Sequence, residues 1–291
     1  MTTKNPEYDF KWCPGCGDFG VRRAIEFAIA DWIAQTGQPV EQTVMVAGIG
    51  CSGNMVHLIE GPQPFGIHGI HGRTLPIAFG IKMARPELNV IAVAGDGDFL
   101  SIGMEHIAPM ALRNLNVTAV IMDNAVYGLT KGQSSPTTTL GAITPTTPFG
   151  KLEDALNPLD LYLTLGVSSI ASGISTKVRP LGNMINQAMH HPGFAVVHVQ
   201  SPCTTYNDVY EVMKGNAKKG IAPLAWDIPA DHDTSDRQAA HQVIHTGGIP
   251  IGTIYRREDS KPLDKRVEEA WAKVRPQTLE QVMNTFAFKV V

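Results

Sequence analysis

Short apolar runs alternate along the chain with segments in which apolar residues recur every three or four positions. The runs at residues 43–47, 90–94, 117–122 and 194–199 predict buried strands. The recurring pattern predicts helices over residues 21–33, 74–83, 103–113 and 178–188, the first of them stopped by Gly37. Near-continuous apolar strands alternating with helices are typical of a parallel sheet buried on both sides. We therefore expect an α/β fold with a mostly parallel sheet and helices on both faces.

Two segments depart from this alternation. Residues 126–150 are rich in Thr, Gly, Ser and Pro, and long ordered loops of this kind tend to be functional. Beyond residue 213 the chain is more charged and less periodic, with one late helix marked by Leu279, Val282, Met283 and Phe286 that Thr278 and Gln281 would cap. We expect residues 1–213 to form the main domain. Residues 214–291 are expected to form an irregular extension that packs on this core or on a partner subunit.

Composition narrows the class of protein. Hydrophobic residues make up 43% of the 291 positions and charged residues 18%, which is enough apolar surface for a sizeable core. The formal net charge of -3 indicates no general attraction to nucleic acid or to an anionic membrane. No apolar run approaches the roughly 18 to 20 residues of a membrane span, and residues 1–11 lack the apolar core of a signal peptide. The expected compartment is the cytoplasm.

A glycine-rich turn follows the first predicted strand. Residues 48–53 read G-I-G-C-S-G, which matches the dinucleotide fingerprint G-x-G-x-x-G in sequence and position. That fingerprint also needs an acidic residue about 20 positions further on, to hold a ribose hydroxyl. Between Glu60 and Glu87 there is none. A tight strand-to-helix turn is therefore favoured over a dinucleotide-binding dehydrogenase.

Two further strand ends carry hard oxygen ligands. Asp96 lies in Gly95-Asp96-Gly97 after the second strand, and Asn124 follows the third. The carboxyl ends of strands in open α/β sheets are where ligands bind. A carboxylate and an amide oxygen suit Mg²⁺, whose other positions are filled by water and phosphate oxygens, while glycines allow close approach of a diphosphate. The pattern predicts a metal–diphosphate site.

The four cysteines form a third candidate site. Cys13 and Cys16 are separated by two residues, whereas Cys51 and Cys203 lie far away in sequence, each at the end of a predicted strand. Four thiolates suit either a tetrahedral zinc ion or an iron–sulfur cluster, and spacing alone does not distinguish them. A closed zinc site would normally use a second short pair, which is absent from this sequence.

Together these motifs resemble a known family. Residues 12–17, 48–52, 71–73, 95–97 and 127–138, with Asn124, are similar in colinear order to the β subunit of 2-oxoacid:ferredoxin oxidoreductases, and the likeness extends over about residues 12–203. The resemblance implies a thiamine diphosphate-binding fold. It also implies a 4Fe–4S cluster on Cys13, Cys16, Cys51 and Cys203.

The resemblance further implies the residues of the cofactor site. Asp96, Asn124 and the backbone carbonyl of Val126 would hold Mg²⁺. The residues expected along the cofactor are Ile49, Gly50, Ser52, His71, Gly95, Asp96, Gly97, Asp98, Asn124, Val126, Gly128 and Leu129. His71 and Lys131 are the candidate catalytic side chains, because Lys131 could pair with a substrate carboxylate and lysine there accompanies 2-oxoglutarate in related enzymes. The other histidines, His245 among them, are expected to be surface or turn residues.

The implied reaction is the coenzyme A-linked oxidative decarboxylation of 2-oxoglutarate to succinyl-CoA and CO₂, with electrons passed to ferredoxin; the reverse direction would fix CO₂. Pyruvate or another 2-oxo acid is the alternative substrate. A non-catalytic assembly subunit carrying zinc or a cluster is the remote alternative. The chain shows only the diphosphate-binding part, so an α subunit is expected to supply the pyrimidine-binding and coenzyme A-binding parts, in an (αβ)₂ assembly.

Overall fold

The computed structural model of this chain describes residues 12–274 and 276–287. The segment 1–11, on which the prediction about a signal peptide depends, lies outside the described residues. Among the helices that are described, none combines the length and the apolar character needed to cross a membrane.

An eight-stranded sheet organises the chain, with spatial order β2-β1-β3-β4-β6-β5-β8-β7. Neighbouring strands pair in parallel except β5 and β8, which are antiparallel. The strands are β1 (Thr43–Ala47), β2 (Phe65–His68), β3 (Asn89–Gly95), β4 (Val117–Asp123), β5 (Ser169–Ile174), β6 (Phe194–Gln200), β7 (Ala225–Asp227) and β8 (Ile249–Arg256). The α/β fold with a mostly parallel sheet is confirmed.

Ten α-helices connect and cover these strands in the described part of the chain. They are α1 (Asp18–Thr36), α2 (Met55–Leu58), α3 (Thr74–Ala84), α4 (Ile107–Arg113), α5 (Pro158–Leu165), α6 (Val178–His190), α7 (Tyr210–Lys214), α8 (Arg237–His245), α9 (Leu263–Ala272) and α10 (Leu279–Thr285). Gly37 ends α1 in the left-handed conformation, and Thr278 and Gln281 form the expected capping box of α10.

Two hydrophobic cores lie on opposite faces of the sheet. Alternate residues of each central strand point to opposite faces, so that in β1 Val44 and Val46 enter one core while Met45 and Ala47 enter the other. Helices α1 and α6 cover the second face, and α3, α4, α5 and α8 the first. This double burial explains why the central strands read as continuous apolar runs. It also fixes the carboxyl ends of β1, β3 and β4 side by side.

Two expectations need correction. The segment after residue 213 is not irregular, because β8 pairs with β5 and β7 pairs with β8, which extends the same sheet. Pro250 and Gly252 break the apolar pattern of β8, so the sequence hides this strand. The helix expected over residues 103–113 is also shorter: a π-helical turn at Asp98–Ile102 and a 3₁₀ turn at Met104–His106 precede α4.

Candidate active site

A cavity of about 150 Å³ opens at the carboxyl ends of β1, β3 and β4. Its wall contains every residue expected along the cofactor and adds Cys51, Tyr127 and Thr130. The lining residues are Ile49, Gly50, Cys51, Ser52, His71, Gly95, Asp96, Gly97, Asp98, Asn124, Val126, Tyr127, Gly128, Leu129 and Thr130. Four separate segments of the chain therefore meet here, as the shared sheet edge requires.

Asp96 is a buried acid whose ionised form its surroundings disfavour, although Ser135, Thr137 and the Asn124 backbone N–H donate hydrogen bonds to it. Its side chain is buried, and Thr137 Oγ1 lies 2.9 Å from Asp96 Oδ2 and 2.7 Å from Asp123 Oδ1. A hydroxyl has one hydrogen to donate, so it cannot serve both carboxylates at once. Burial, together with the charge of Asp123, raises the pKa of Asp96 to about 7. A divalent cation beside Asp96 would favour its ionised form, so the residue fits the role of a Mg²⁺ ligand.

The buried side chain of His198 contacts the carboxylate of Asp123. His198 Nε2 lies 3.0 Å from Asp123 Oδ2, and the hydroxyl of Tyr162 lies 3.3 Å from His198 Nδ1. Although burial raises the pKa of Asp123, the hydrogen bond and charge of His198 outweigh it and leave the pKa below the ordinary value. Asp123 is thus the carboxylate that stays ionised, which leaves Asp96 as the one that needs a cation.

The turn after β4 presents the other expected metal ligands. Ala125 adopts a left-handed φ of 55°, and Asn124 Oδ1 accepts a hydrogen bond from the Val126 backbone N–H at 3.0 Å. Tyr127 then lies over Gly97, and its hydroxyl donates to the Gly97 carbonyl at 3.1 Å. A Cβ added at Gly97 would lie only 2.2 Å from Tyr127 Cε1, so only glycine fits there.

Asp98 differs from the other predicted residues, because its carboxylate is used by the protein. Oδ1 accepts from the backbone N–H groups of Gly72 at 2.8 Å and Ile49 at 2.9 Å, and lies 2.6 Å from His71 Nδ1. Oδ2 accepts from Thr74 Oγ1 at 3.1 Å. We assign Asp98 a positioning role, since it fixes the orientation of His71 and joins two segments of the cavity wall.

Replacing Asp98 with Asn is expected to weaken cofactor binding without unfolding the chain. The amide keeps the size but loses the charge that three N–H donors share, and hydrogen bonds to a charged group contribute about 1.5–3 kcal/mol. The apparent dissociation constant for thiamine diphosphate should rise about tenfold or more, with a smaller change in kcat. Calorimetric titration measures this. Glu105→Gln is the matched control, because it removes an exposed acid from the next turn; equal binding by both variants would refute the positioning role.

The four cysteine segments converge beside the cavity. A Cβ built at Gly128, in the cavity wall, would lie 3.4 Å from Cys51 Sγ and 3.8 Å from Cys203 Sγ. Cys13 and Cys16 share one turn, in which the Cys16 N–H donates to the Cys13 carbonyl at 3.0 Å. All four thiols are free.

Backbone contacts tie the Cys13–Cys16 turn to the two distant cysteines. The Gly17 N–H donates to the carbonyl of Pro202, next to Cys203, at 3.0 Å. The indole N–H of Trp12 donates to the carbonyl of Cys51 at 2.7 Å. The fold therefore supplies one set of four sulfurs from three segments of the chain.

Asp18, which sequence reasoning missed, joins the cysteine group to the cavity. It is the first residue of α1 and is buried, and it accepts hydrogen bonds from Ser201 at 2.5 Å and Ser52 at 3.2 Å. Burial raises its pKa to about 6 despite these bonds. Its position two residues after Cys16 was the only signal in the sequence.

The same surroundings favour the protonated form of two of these thiols. Burial first, and then the charge of Asp18, raise the pKa of Cys51 to about 11 and raise that of Cys16 further. Cys16 and Cys51 are therefore unsuited to act as free nucleophiles, and a bound cationic metal would favour their thiolate forms.

Lys131 lies at the rim rather than in the wall. It is exposed and follows Thr130, the last residue of the cavity lining. Its φ of 84° is in the left-handed region, which is unfavourable for lysine. Gly132 follows with a φ of 96° and packs against Tyr206. The loop therefore holds Lys131 in a strained backbone conformation directly after the last residue of the cavity lining.

Comparison with known proteins agrees with this geometry. Residues 48–199 match the family model described as the thiamine pyrophosphate enzyme C-terminal TPP binding domain, and residues 203–271 match the C-terminal part of the pyruvate ferredoxin oxidoreductase beta subunit. The β subunit of 2-oxoacid:ferredoxin oxidoreductase 1 from Aeropyrum pernix is 41% identical over 273 residues, covering 91% of this chain and 82% of that protein. The chain belongs to the 2-oxoacid:ferredoxin oxidoreductase β subunits.

Other relatives of this β subunit differ in the substrate that their names give. Subunit KorB of a 2-oxoglutarate oxidoreductase from Mycobacterium tuberculosis is 37% identical over 202 residues, 69% of this chain and 52% of that protein. A solved 2-oxoglutarate:ferredoxin oxidoreductase from Magnetococcus marinus, with 2-oxoglutarate, coenzyme A and succinyl-CoA bound, superposes with a TM-score of 0.86 at 34% identity, covering 98% of this chain and 94% of that one. As a β subunit, the chain works with an α subunit.

Proposed function

We propose that this β subunit holds the diphosphate of thiamine diphosphate in the cavity at the ends of β1, β3 and β4. Asp96, Asn124 and the carbonyl of Val126 would bind Mg²⁺, and the burial of Asp96 in the cavity wall, with its pKa raised to about 7, is the observation that carries this assignment. Thiamine diphosphate, when bound, supplies the carbon nucleophile and the electron sink needed to release CO₂ from a 2-oxo acid.

We further propose that Cys13, Cys16, Cys51 and Cys203 hold a 4Fe–4S cluster. Such a cluster supplies one-electron chemistry, which is what transfer to ferredoxin requires. Gly128 supports this pairing of sites, since it lines the cavity and lies against two of the sulfurs. The overall reaction converts a 2-oxo acid, coenzyme A and two oxidised ferredoxins into an acyl-CoA, CO₂, a proton and two reduced ferredoxins.

We propose 2-oxoglutarate as the substrate. Its second carboxylate needs a cationic partner, and Lys131 at the cavity rim could provide one. The names of several relatives and of the solved homologue support this choice. Pyruvate is the second candidate, because the family model for residues 203–271 is described for a pyruvate enzyme and other relatives are named for 2-oxo acids in general.

An anaerobic assay of the co-expressed α and β subunits tests the function and the substrate together. With coenzyme A and a low-potential dye, kcat/KM for 2-oxoglutarate should exceed that for pyruvate by about tenfold or more, the effect of one charged contact. Indifference to 2-oxoglutarate, with rapid use of pyruvate, would overturn the substrate. Failure with every 2-oxo acid in a cofactor-loaded complex would overturn the function.

A Lys131→Asn variant in the same assay tests the rim lysine. Asparagine tolerates a left-handed φ, whereas glycine would change both the charge and the freedom of the backbone. Loss of the charge should lower kcat/KM for 2-oxoglutarate about ten- to hundredfold and leave that for pyruvate unchanged. Lys218→Asn, at an exposed lysine outside the cavity lining, is the matched control.

A further inference from the structure

Three side chains that the proposed reaction does not use gather between helices α5 and α8. Asp160 on α5 and His241 and His245 on α8 bring one ligand atom each to within 4.8 Å of one another. The two imidazole rings have centroids 4.2 Å apart, and His245 Nε2 lies 3.3 Å from Asp160 Oδ1. We propose that these residues form a site for a divalent transition-metal ion, with Zn²⁺ as the reference ligand.

The helix itself arranges the two imidazoles. His241 and His245 are one turn apart, so both project from the same face of α8. Imidazole nitrogens are good ligands for zinc, nickel and copper, and a carboxylate oxygen completes a three-residue set that leaves a position for water. Mg²⁺ prefers oxygen ligands alone, so it should not compete here.

The ligand atoms need only a small movement to close on an ion. Ligands about 2.0–2.1 Å from zinc lie closer together than 4.8 Å, so the side chains must turn inward. The side chains of His245 and Asp160 are 46% and 40% exposed, and nothing buried has to shift. The neighbouring cation, Arg237, donates to the Leu163 carbonyl at 2.6 Å and lies 5.7 Å from the centre of the Tyr255 ring, so these two groups already engage its guanidinium.

An ion at this site would join two parts of the chain. Helix α5 belongs to the segment that carries the cofactor cavity, and α8 belongs to the segment after residue 213. The two helices already pack together in one hydrophobic core, through Leu159 and Leu163 on one side and Ala240 and Val243 on the other. Because an ion would bind the packed arrangement more tightly than the separated one, it would stabilise the docking of α8 on α5.

Zinc titration of the purified αβ complex tests the site. After chelation and desalting, the wild type should bind one more Zn²⁺ per β subunit than a His241→Ala or His245→Ala variant, or bind it more than about tenfold tighter, a loss that even outer partners of a metal produce. All variants keep the four cysteines, so zinc taken up by thiols cancels in the comparison. His190→Ala, which removes an exposed imidazole elsewhere, should match the wild type.

Hydrogen exchange distinguishes a metal link from a mere ion pair. Zn²⁺ should slow exchange in residues 158–165 of α5 in the wild type and not in Asp160→Asn, in which the histidine pair on α8 remains but the link to α5 is lost. Equal zinc binding by the wild type and the double variant His241→Ala/His245→Ala would overturn the proposal. Turnover of 2-oxo acids is not a readout, so either outcome leaves the proposed function standing.

Discussion

Replacing Asp96 with Asn should lower turnover of 2-oxo acids about a thousandfold or more, because it removes the charged oxygen ligand of the proposed Mg²⁺ site. Asparagine fits the same space and can still accept a hydrogen bond from Thr137, so the fold should survive. The lower turnover should therefore come from weaker cofactor binding and not from unfolding. Calorimetric titration of the αβ complex with thiamine diphosphate, at fixed Mg²⁺, measures it directly.

The pKa of Asp96 adds an independent test. A proton competes with the metal wherever the metal-free site holds Asp96 in its acid form, and its pKa is about 7. The apparent affinity for Mg²⁺ should thus fall as the pH is lowered below about 7 and level off above it. This dependence should disappear in Asp96→Asn. Asp154→Asn, at an exposed acid that follows the polar segment 126–150, should behave as wild type; a pH dependence retained in Asp96→Asn would argue against this assignment.

Replacing Cys203 with Ser should abolish electron transfer to ferredoxin. Loss of one of four thiolates would remove or destabilise the proposed 4Fe–4S cluster, so iron and acid-labile sulfide should fall well below four per β subunit, together with the brown absorbance expected of the protein. Cys51→Ser should behave in the same way, because both sulfurs lie against Gly128. Turnover with ferredoxin should drop to background while the binding of thiamine diphosphate persists.

Two comparisons make the cysteine experiment decisive. Thr204→Val changes the residue after Cys203 and removes its hydrogen bond to the Pro14 carbonyl while leaving every sulfur in place, so it should keep its iron. Metal analysis of the wild type then distinguishes a zinc ion from an iron–sulfur cluster, the two alternatives that the cysteine spacing does not resolve. Stoichiometric zinc without iron in the anaerobically purified complex would contradict the cluster assignment and favour a zinc-bearing subunit.

The sequence could predict the sheet edge that carries the site because that edge has a local signature. Strands buried on both faces read as apolar runs, and Asp96, Asn124 and Cys51 each follow one of them. Strand β5 was missed because Ser169, Ser172 and Gly173 interrupt it, and its burial comes from the neighbouring strands β6 and β8.

Residues that act through long-range contacts were beyond sequence reasoning. Thr137 contacts Asp96 from the polar segment 126–150, and Asp18 contacts Ser201 across 183 residues of sequence. Neither residue belongs to a periodic pattern, so only the folded chain shows what it touches. For Asp98 the difficulty is different. The sequence motif predicts that Asp98 belongs to the site, but only its hydrogen bonds show that it orients His71.

The strand order has a consequence for how the protein avoids self-association. The two edges of the sheet are β2, of four residues, and β7, of three, the shortest strands in the described chain. Short edges offer few unpaired backbone groups to another sheet. Without residues after 213, the six-residue strand β5 would become an open edge. The C-terminal segment therefore also guards the sheet against aggregation, and a truncated chain should precipitate more readily than the whole one.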